Sequence, residues 1–409
     1  MTPGRWLTIL GIGEDGLDGL SPTARRLLAD AELVVGGERH LALAGLAGGG
    51  ASGTPETFRW PTPLTDALPA LLSRRGRPVV VLATGDPFFY GVGTTLAGRI
   101  PADEMLCIPG PSAFSLAASR LGWSQQETTR LSLHGRAFER VLPHLQPRAR
   151  ILALSWDGTT PGRLAATLTA RGMGRSRLTV LEAMGGPRER IRSALAEAFD
   201  LGDVDPLNTV AVEVVAGPDA RTLPLTPGLP DDAFEHDGQI TKRELRAVTL
   251  SALAPRRGER LWDIGAGSGS IGIEWMLADP ANRTIAIEPR PDRAARVARN
   301  AAALGVPDLV IVPGEAPAAL ADLPDPDAVF IGGGAGDPGV VDAGWARLAS
   351  GGRLVVNAVT LETQAQVTDW CRRFGGELVS IAIAKAVPVG SFLGWKPAMP
   401  VVQWRAIKP

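Results

Sequence analysis

The chain has 409 residues, 45% of them apolar, and a formal net charge of −1. That length exceeds one ordinary core and predicts two domains, and the apolar fraction excludes a disordered chain. Near-neutrality removes any global electrostatic case for nucleic acid or an anionic membrane, although a local basic patch would serve a small polyanion. Cys107 and Cys371 are far apart, and His40, His134, His144 and His236 are scattered, so no metal site is expected. Both cysteines lie in apolar segments and read as core fillers. The N-terminal stretch has no basic region, and Glu14 and Asp15 interrupt its apolar run. No stretch approaches the ~18 apolar residues of a membrane helix. The expectation is a reduced, soluble, cytoplasmic protein.

In chain order, LTILGIG reads as a strand, and SPTARRLLADA as a helix with Ser21 as N-cap and Pro22 at its first position. ELVVGG is a strand, residues 64–73 a helix, and RPVVVLATG and EMLCIPG two further strands. A second set follows: ARILALSWDG, a helix after Pro161, SRLTVLEAMGG, a helix near 188–199, and NTVAVEVVAG. Such alternation predicts parallel sheets with helices on their faces, in two α/β lobes, about 1–120 and 121–216. The proline- and glycine-rich stretch 217–232 cannot continue a helix or central strand and reads as an extended linker. Beyond it, within 233–409, come RLWDIG, RTIAIEP, LVIVPG, DAVFIGGG and GRLVVNAV, then ELVSIAIAKAV and VVQWRAI. Seven strands with a terminal hairpin predict a doubly wound sheet whose last strand inserts antiparallel.

The chemistry concentrates at glycine-rich turns. LWDIGAGSGSIGIEW passes from strand to helix through a G-x-G-x-x-G match, which alone is a weak sign of a nucleotide-bearing cofactor. Asp263, just before the turn, would repel a pyrophosphate but suits an ammonium and a sulfonium. Glu288, nineteen residues after Gly269, can accept ribose hydroxyls, which fits NAD or S-adenosylmethionine and disfavours NADP. GEAP, residues 314–317, ends the next strand, where an adenine edge would lie. These features favour S-adenosylmethionine and leave NAD open. In the first half, GIGEDG, LATGDPFFYGVG and PGPSAFSLAASRLGW all follow strand ends, where an open α/β sheet places its ligands. Asp86 either faces a ligand or satisfies its own loop.

Two resemblances sharpen this reading. DGQITKRELRAVTLSAL, LWDIGAGSGSIGIEW and FIGGG together resemble the precorrin decarboxylating methyltransferases of cobalamin biosynthesis, a class I methyltransferase family. GIGEDGLDGLSPTA, VVGGERHL, LATGDPFFYGVG and PGPSAFSLAASRLGW resemble the tetrapyrrole (corrin/porphyrin) methylase family, and in particular its precorrin C5-methylating members. The resemblances imply a two-lobed tetrapyrrole methylase fold followed by a doubly wound, seven-stranded, Rossmann-like class I methyltransferase fold. They imply two S-adenosylmethionine sites. In the first, Gly11, Gly85, Asp86, Phe88, Ser112 and Ala113 would line the pocket, with Ala183 and Ala211 closing it. In the second, Thr241, Asp263, Gly265, Ala266, Gly267, Ser268, Gly269, Glu288, Ala316 and Gly332 would contact the cofactor, with Gly332 and Gly333 opening towards the substrate.

The implied reaction is methylation of a precorrin at C5 and C15 with loss of carbon dioxide from the ring C acetate, from precorrin-6B to precorrin-8. The first domain would serve C5, and the second C15 and the decarboxylation. Methyl transfer to an electron-rich carbon needs placement more than acid-base power, which agrees with the lack of a nucleophile–base constellation. His236, Lys242 and Arg243 cluster before the glycine turn and are candidates to bind substrate carboxylates or donate the proton. A solvated helix start explains them equally well. Trp395 is a candidate to stack on the macrocycle, though core packing or an oligomer contact is the plainer reading. The families imply a homo-oligomer, dimer or tetramer, and no nucleic-acid or membrane partner. An NAD-linked oxidoreductase using residues 265–272, or a methyltransferase on another substrate, remain alternatives.

Overall fold

The protein is described from a computed structural model covering residues 4–47 and 54–409. Its internal contacts separate two units, one of residues up to 136 with 144–221, the other of 137–143 with 222–409.

The first unit holds two sheets. β1 (Leu7–Ile12), β2 (Leu33–Gly36), β3 (Glu56–Arg59), β4 (Val79–Thr84) and β5 (Met105–Ile108) form an all-parallel sheet in the order β3-β2-β4-β1-β5. β1 is buried throughout because both faces are covered, so Thr8 alone interrupts its apolar run. Leu7, Ile9, Val79 and Val81 pack into one apolar cluster and Leu10, Ile12, Val80 and Leu82 into another, the period-2 alternation of a strand. The helix Pro22–Ala29 starts where the Ser-Pro pair predicts, with Ser21 Oγ accepting from the Ala24 amide at 3.2 Å.

The second sheet comprises β6 (Thr129–Ser132), β7 (Arg150–Leu154), β8 (Arg177–Glu182), β9 (Arg190–Leu195) and β10 (Asn208–Glu213), ordered β6-β7-β10-β8-β9. Only β6 and β7 run parallel; the other pairs are antiparallel. This corrects two expectations, a parallel second lobe and a helix near 188–199. Residues 190–195 form an edge strand instead. The alternate residues Arg190 and Arg192 share one face there, and both reach the fully buried Glu182 carboxylate, at 2.7 and 3.1 Å. Helical geometry would separate them by about 200°.

In the second unit, β11 (Arg260–Ile264), β12 (Arg283–Glu288), β13 (Val310–Pro313), β14 (Ala328–Ile331), β15 (Arg353–Ala358), β16 (Glu377–Ile381) and a last strand at Val401–Ile407 make one sheet. The last strand inserts between β15 and β16 and is antiparallel to both, as expected. Helices Ser270–Ala278 and Pro291–Ala303 follow β11 and β12. ELVSIAIAKAV is not one strand. Its second half forms β17 (Ala384–Val389), which pairs with β18 (Phe392–Pro397) in a separate hairpin, so the last sheet strand is β19. Trp395 lies on that hairpin, 77% exposed, and takes no part in the core.

The stretch 217–232 is less free than a linker. The Gly217 and Arg221 amides bond to the Gly172 and Arg171 carbonyls, while Leu223 and Leu229 are buried in the second unit's core. Among the described residues no helix is long and apolar enough to cross a membrane, and no group of three metal-ligating side chains is placed to hold an ion.

Candidate functional site

In the second unit the turn after β11 places Gly265, Gly267 and Gly269 at φ of +71°, +59° and +76°, conformations that favour glycine. Two of them differ in purpose. A Cβ on Gly265 would lie 2.7 Å from the Gly333 carbonyl oxygen, so chain packing forbids it; one on Gly267 would meet only the Gln239 carbonyl oxygen, at 3.6 Å. The space over Gly267 is therefore a cradle that a side chain would fill and a ligand can use.

Two buried carboxylates flank this turn. Asp263 is 1% exposed and accepts from the Gly272 amide at 3.0 Å. Burial pushes its carboxyl up to about 7, the Gly272 amide opposes the shift, and the charge of Glu288 adds to it. Glu288 accepts from the Gly267 amide at 2.8 Å and from the Arg290 amide at 3.1 Å. These bonds aim its carboxylate at the turn and leave each oxygen a further lone pair. Ser268 is buried and its Oγ has no partner among the described residues. An unpaired hydroxyl in the same turn as an open glycine and a braced carboxylate suits a cationic ligand with hydroxyls. Ala266 continues the turn, its amide bonded to the Ile287 carbonyl. Gly332 follows β14, with its amide on the Ile264 carbonyl at 3.1 Å. Ala316, after β13, is half-buried against the β12–β15 core.

Residues 235–241 lie across this turn. Asn300 holds them, donating to the carbonyls of Glu235 and Ser268, both at 2.9 Å, and accepting from the Glu235 amide at 2.8 Å. His236 accepts the Gly238 amide on Nδ1 at 3.0 Å. Asp237 sits between Arg293 and Arg296 at 3.0 and 3.1 Å. The Gln239 amide first, then those arginines, hold its carboxyl well below the usual range. Lys242 and Arg243 are exposed and have no carboxylate partner among the described residues.

A buried ion pair fixes the segment from below. Arg246 is 0% exposed; its Nε donates to Glu274 at 2.5 Å, and its other nitrogens reach Asp231 and the carbonyls of Thr241 and Leu229. Glu274 also accepts the amides of Gly228 and Leu229, at 2.6 and 3.0 Å. Thr241 is thus positioned through its backbone. Arg246, Glu274 and Asn300 were not among the expected residues, yet two carried a signal. Arg246 shares a helix face with Thr249, Leu250 and Leu253, all buried, and Glu274 is the single charge in SIGIEWMLA.

In the first unit three strand ends converge. A Cβ on Gly11 would fall 1.8 Å from the Gly85 carbonyl oxygen and 2.3 Å from the Gly110 amide, so glycine is required for backbones to cross. The Gly110 amide bonds to the Gly85 carbonyl at 2.9 Å. Ser112 caps the helix Ala113–Leu121 through the Ser115 amide. Asp86 turns one oxygen onto the Phe88 amide at 2.9 Å, satisfying its own loop. Phe88 is 47% exposed. Ala183 (φ +43°) and Ala211 are buried; Ala211 shares an apolar cluster with Phe114, Met184 and the half-buried Ala113. Gly11, Gly85, Ser112 and Ala113 are therefore brought together, while Ala183 and Ala211 offer no open surface. Also unanticipated is Glu14, 9% exposed, which pairs with Arg39 and with Arg188 of the second lobe.

Comparison with known proteins gives matching results for both units. The family of tetrapyrrole (corrin/porphyrin) methylases matches residues 7–200, and the precorrin methyltransferase domain matches residues 232–408. A precorrin-6Y C(5,15)-methyltransferase [decarboxylating] of Sinorhizobium sp is 58% identical over 98% of this chain and 95% of its own length. A probable cobalt-precorrin-6B C(15)-methyltransferase (decarboxylating) of Saccharolobus solfataricus is 36% identical over 39% of this chain and 85% of its own. A cobalt-precorrin-7 C(5)-methyltransferase of Salmonella typhimurium is 32% identical over 45% of this chain and 88% of its own. None of these relatives is an oxidoreductase, so the NAD reading has no support. With both units matched and more than half of all positions identical to one relative, the chain belongs to the family of decarboxylating precorrin-6Y C(5,15)-methyltransferases.

Proposed function

We propose that this chain methylates a precorrin at C5 and C15 and removes carbon dioxide from the ring C acetate, converting precorrin-6B to precorrin-8. The observation that carries this reading is the 58% identity across nearly the whole chain. The separate C15- and C5-methylating relatives each match less than half of it, which fits one activity per domain: 1–216 for C5, 233–409 for C15 and decarboxylation, with 217–232 joining them.

S-adenosylmethionine would supply an electrophilic methyl on a sulfonium at two sites, one per domain. In the second, the Glu288 carboxylate takes the ribose hydroxyls, Asp263 the positive end, and Gly267 leaves room for close approach. Thr241, Ala316 and Gly332 complete the wall. In the first, Gly11, Gly85, Asp86, Phe88, Ser112 and Ala113 form the pocket, which Ala183 and Ala211 back from beneath. Decarboxylation leaves an electron pair that must be protonated to yield a methyl group. His236, Lys242 and Arg243 precede the second turn, on and just after the segment 235–241 that lies across it, and they serve as carboxylate holders or as the proton donor. A homo-oligomer is part of the proposal: the exposed hairpin residues Phe392, Leu393 and Trp395 are suited to bury one another between copies. A cytoplasmic location fits the two free cysteines.

The test is a mass spectrum of the product from precorrin-6B and methyl-labelled S-adenosylmethionine. Two labelled methyls gained with one carbon dioxide lost is the expected result. An unchanged tetrapyrrole, with cofactor bound, would rule out this substrate.

A further inference from the structure

The loop after β4 carries three successive aromatic residues, Phe88, Phe89 and Tyr90, and Tyr90 is the chain's only tyrosine. Its backbone stands at φ +59°, where bulky residues are rarely found and functional loops concentrate their strain. Tyr90 is 44% exposed, and its hydroxyl donates to the Arg130 carbonyl on β6 at 3.3 Å. Two guanidiniums lie over these rings. Arg130 Cζ is 5.5 Å from the Phe89 centroid, and Arg136 Cζ is 5.3 Å from that of Tyr90. Both arginines are exposed, and among the described residues neither guanidinium has a carboxylate partner. Arg188, Arg190 and Arg192 of the same unit are all engaged by carboxylates. Nearby in the chain, His134 follows β6 and lies 6.0 Å from Trp156, which follows β7 and is 57% exposed.

These residues share one chemistry. Trp156 offers a flat exposed apolar contact, while the Phe89 and Tyr90 rings, stacked on each other at 5.4 Å, carry the two guanidiniums, whose donor edges stay free for planar anions. Stacking also restrains the arginines in advance, so less freedom is lost when a carboxylate arrives. Arg130 additionally lines an open cavity of about 520 Å³ with Trp123 and Gln125. A conjugated ring edged with carboxylates matches this combination; a neutral apolar ligand would leave the cations idle.

We propose that Arg130, Arg136 and Trp156 form the surface on which the first unit docks its tetrapyrrole, Trp156 meeting the macrocycle and the guanidiniums its carboxylates, with Phe89 and Tyr90 holding the guanidiniums in place. This rests on the methyltransferase reading above. The test uses the full-length enzyme with precorrin-6B and ¹³C-methyl S-adenosylmethionine, the C5 and C15 methyls being read separately by NMR. In R130Q/R136Q and in W156A, KM for the tetrapyrrole in the C5 step should rise about 10-fold, with S-adenosylmethionine affinity by equilibrium dialysis within about 2-fold of the parent. R130K/R136K should recover only part of the loss, because an ammonium cannot make the planar fork. An unchanged KM in both R130Q/R136Q and W156A overturns the docking surface while leaving the function standing. Absence of any C5 methylation by the parent enzyme overturns the functional reading, and the docking surface with it.

Discussion

Arg246→Ala tests how the second unit builds its cofactor wall. The substitution removes the partner of Glu274 at 2.5 Å, the contact to Asp231 at 3.2 Å, and the donors to the Thr241 and Leu229 carbonyls. Arg246 and Glu274 side chains are 0% and 3% exposed, so solvent does not screen the loss. Breaking a buried pair on one side costs about 3–5 kcal/mol. Part of that cost falls on the segment 228–241, which the pair ties to the helix Ser270–Ala278. Hydrogen exchange of the Gly228 and Leu229 amides, which donate to Glu274, reads it directly. Their protection should fall by about 100-fold or more, and binding at the second cofactor site should weaken. Glu274→Gln keeps one acceptor oxygen, enough for only one of these two amides, and leaves Arg246 buried without its carboxylate, so it should also cost about 3–5 kcal/mol. Protection within about 10-fold of the parent in Arg246→Ala would refute the idea that this pair holds the loop.

Gly267→Ala should fold, with about 1–2 kcal/mol of left-handed strain, yet lower the S-adenosylmethionine stoichiometry from two to one in equilibrium dialysis. Gly265→Ala meets the Gly333 backbone as well, and should lose about 1–3 kcal/mol more in a urea titration. Asp263, with its carboxyl raised to about 7, keeps in the folded state a proton that the unfolded chain releases near its ordinary value. Its contribution therefore makes stability fall as pH rises towards about 7 and level off above it; a urea titration series should show this slope, flattened in Asp263→Asn. Cofactor affinity at that site should rise with pH through the same region, because the ionised carboxylate attracts a sulfonium; calorimetry should register proton release below pH 7. Trp395→Glu should leave the thermal transition unchanged and shift the mass in light scattering towards a smaller assembly. An unchanged mass would remove the hairpin from the proposed oligomer contact.

Legibility in the sequence followed how local each constraint is. β1 and β11 could be read as buried strands because both faces are covered and their runs are mostly apolar, and the glycines after β11 announce a left-handed backbone that favours glycine. Ser21-Pro22 marks its helix start through a single hydrogen bond within one turn. The failure at residues 190–195 has the opposite cause. RIRSAL alternates charge and small or apolar groups, but its partner carboxylate, Glu182, lies on the neighbouring strand β8, and only pairing with that strand explains why two arginines should share a face. Asp86 and Glu288 divide similarly. Asp86 is recognisable as a carboxylate within a glycine turn and Glu288 by its spacing of nineteen residues after Gly269. That Asp86 spends an oxygen on its own loop, whereas Glu288 braces the turn of a different strand, is a property of the assembled backbone. Arg246 and Glu274 lie between these cases. Each alone reads as a misplaced charge on an apolar helix face, and a misplaced charge in a core demands a partner. Two such anomalies in one domain, 28 residues apart, could have been paired on that principle before any fold was known. What they hold, the loop over Gly267, could not, because that depends on where Gly228, Leu229 and Thr241 come to rest.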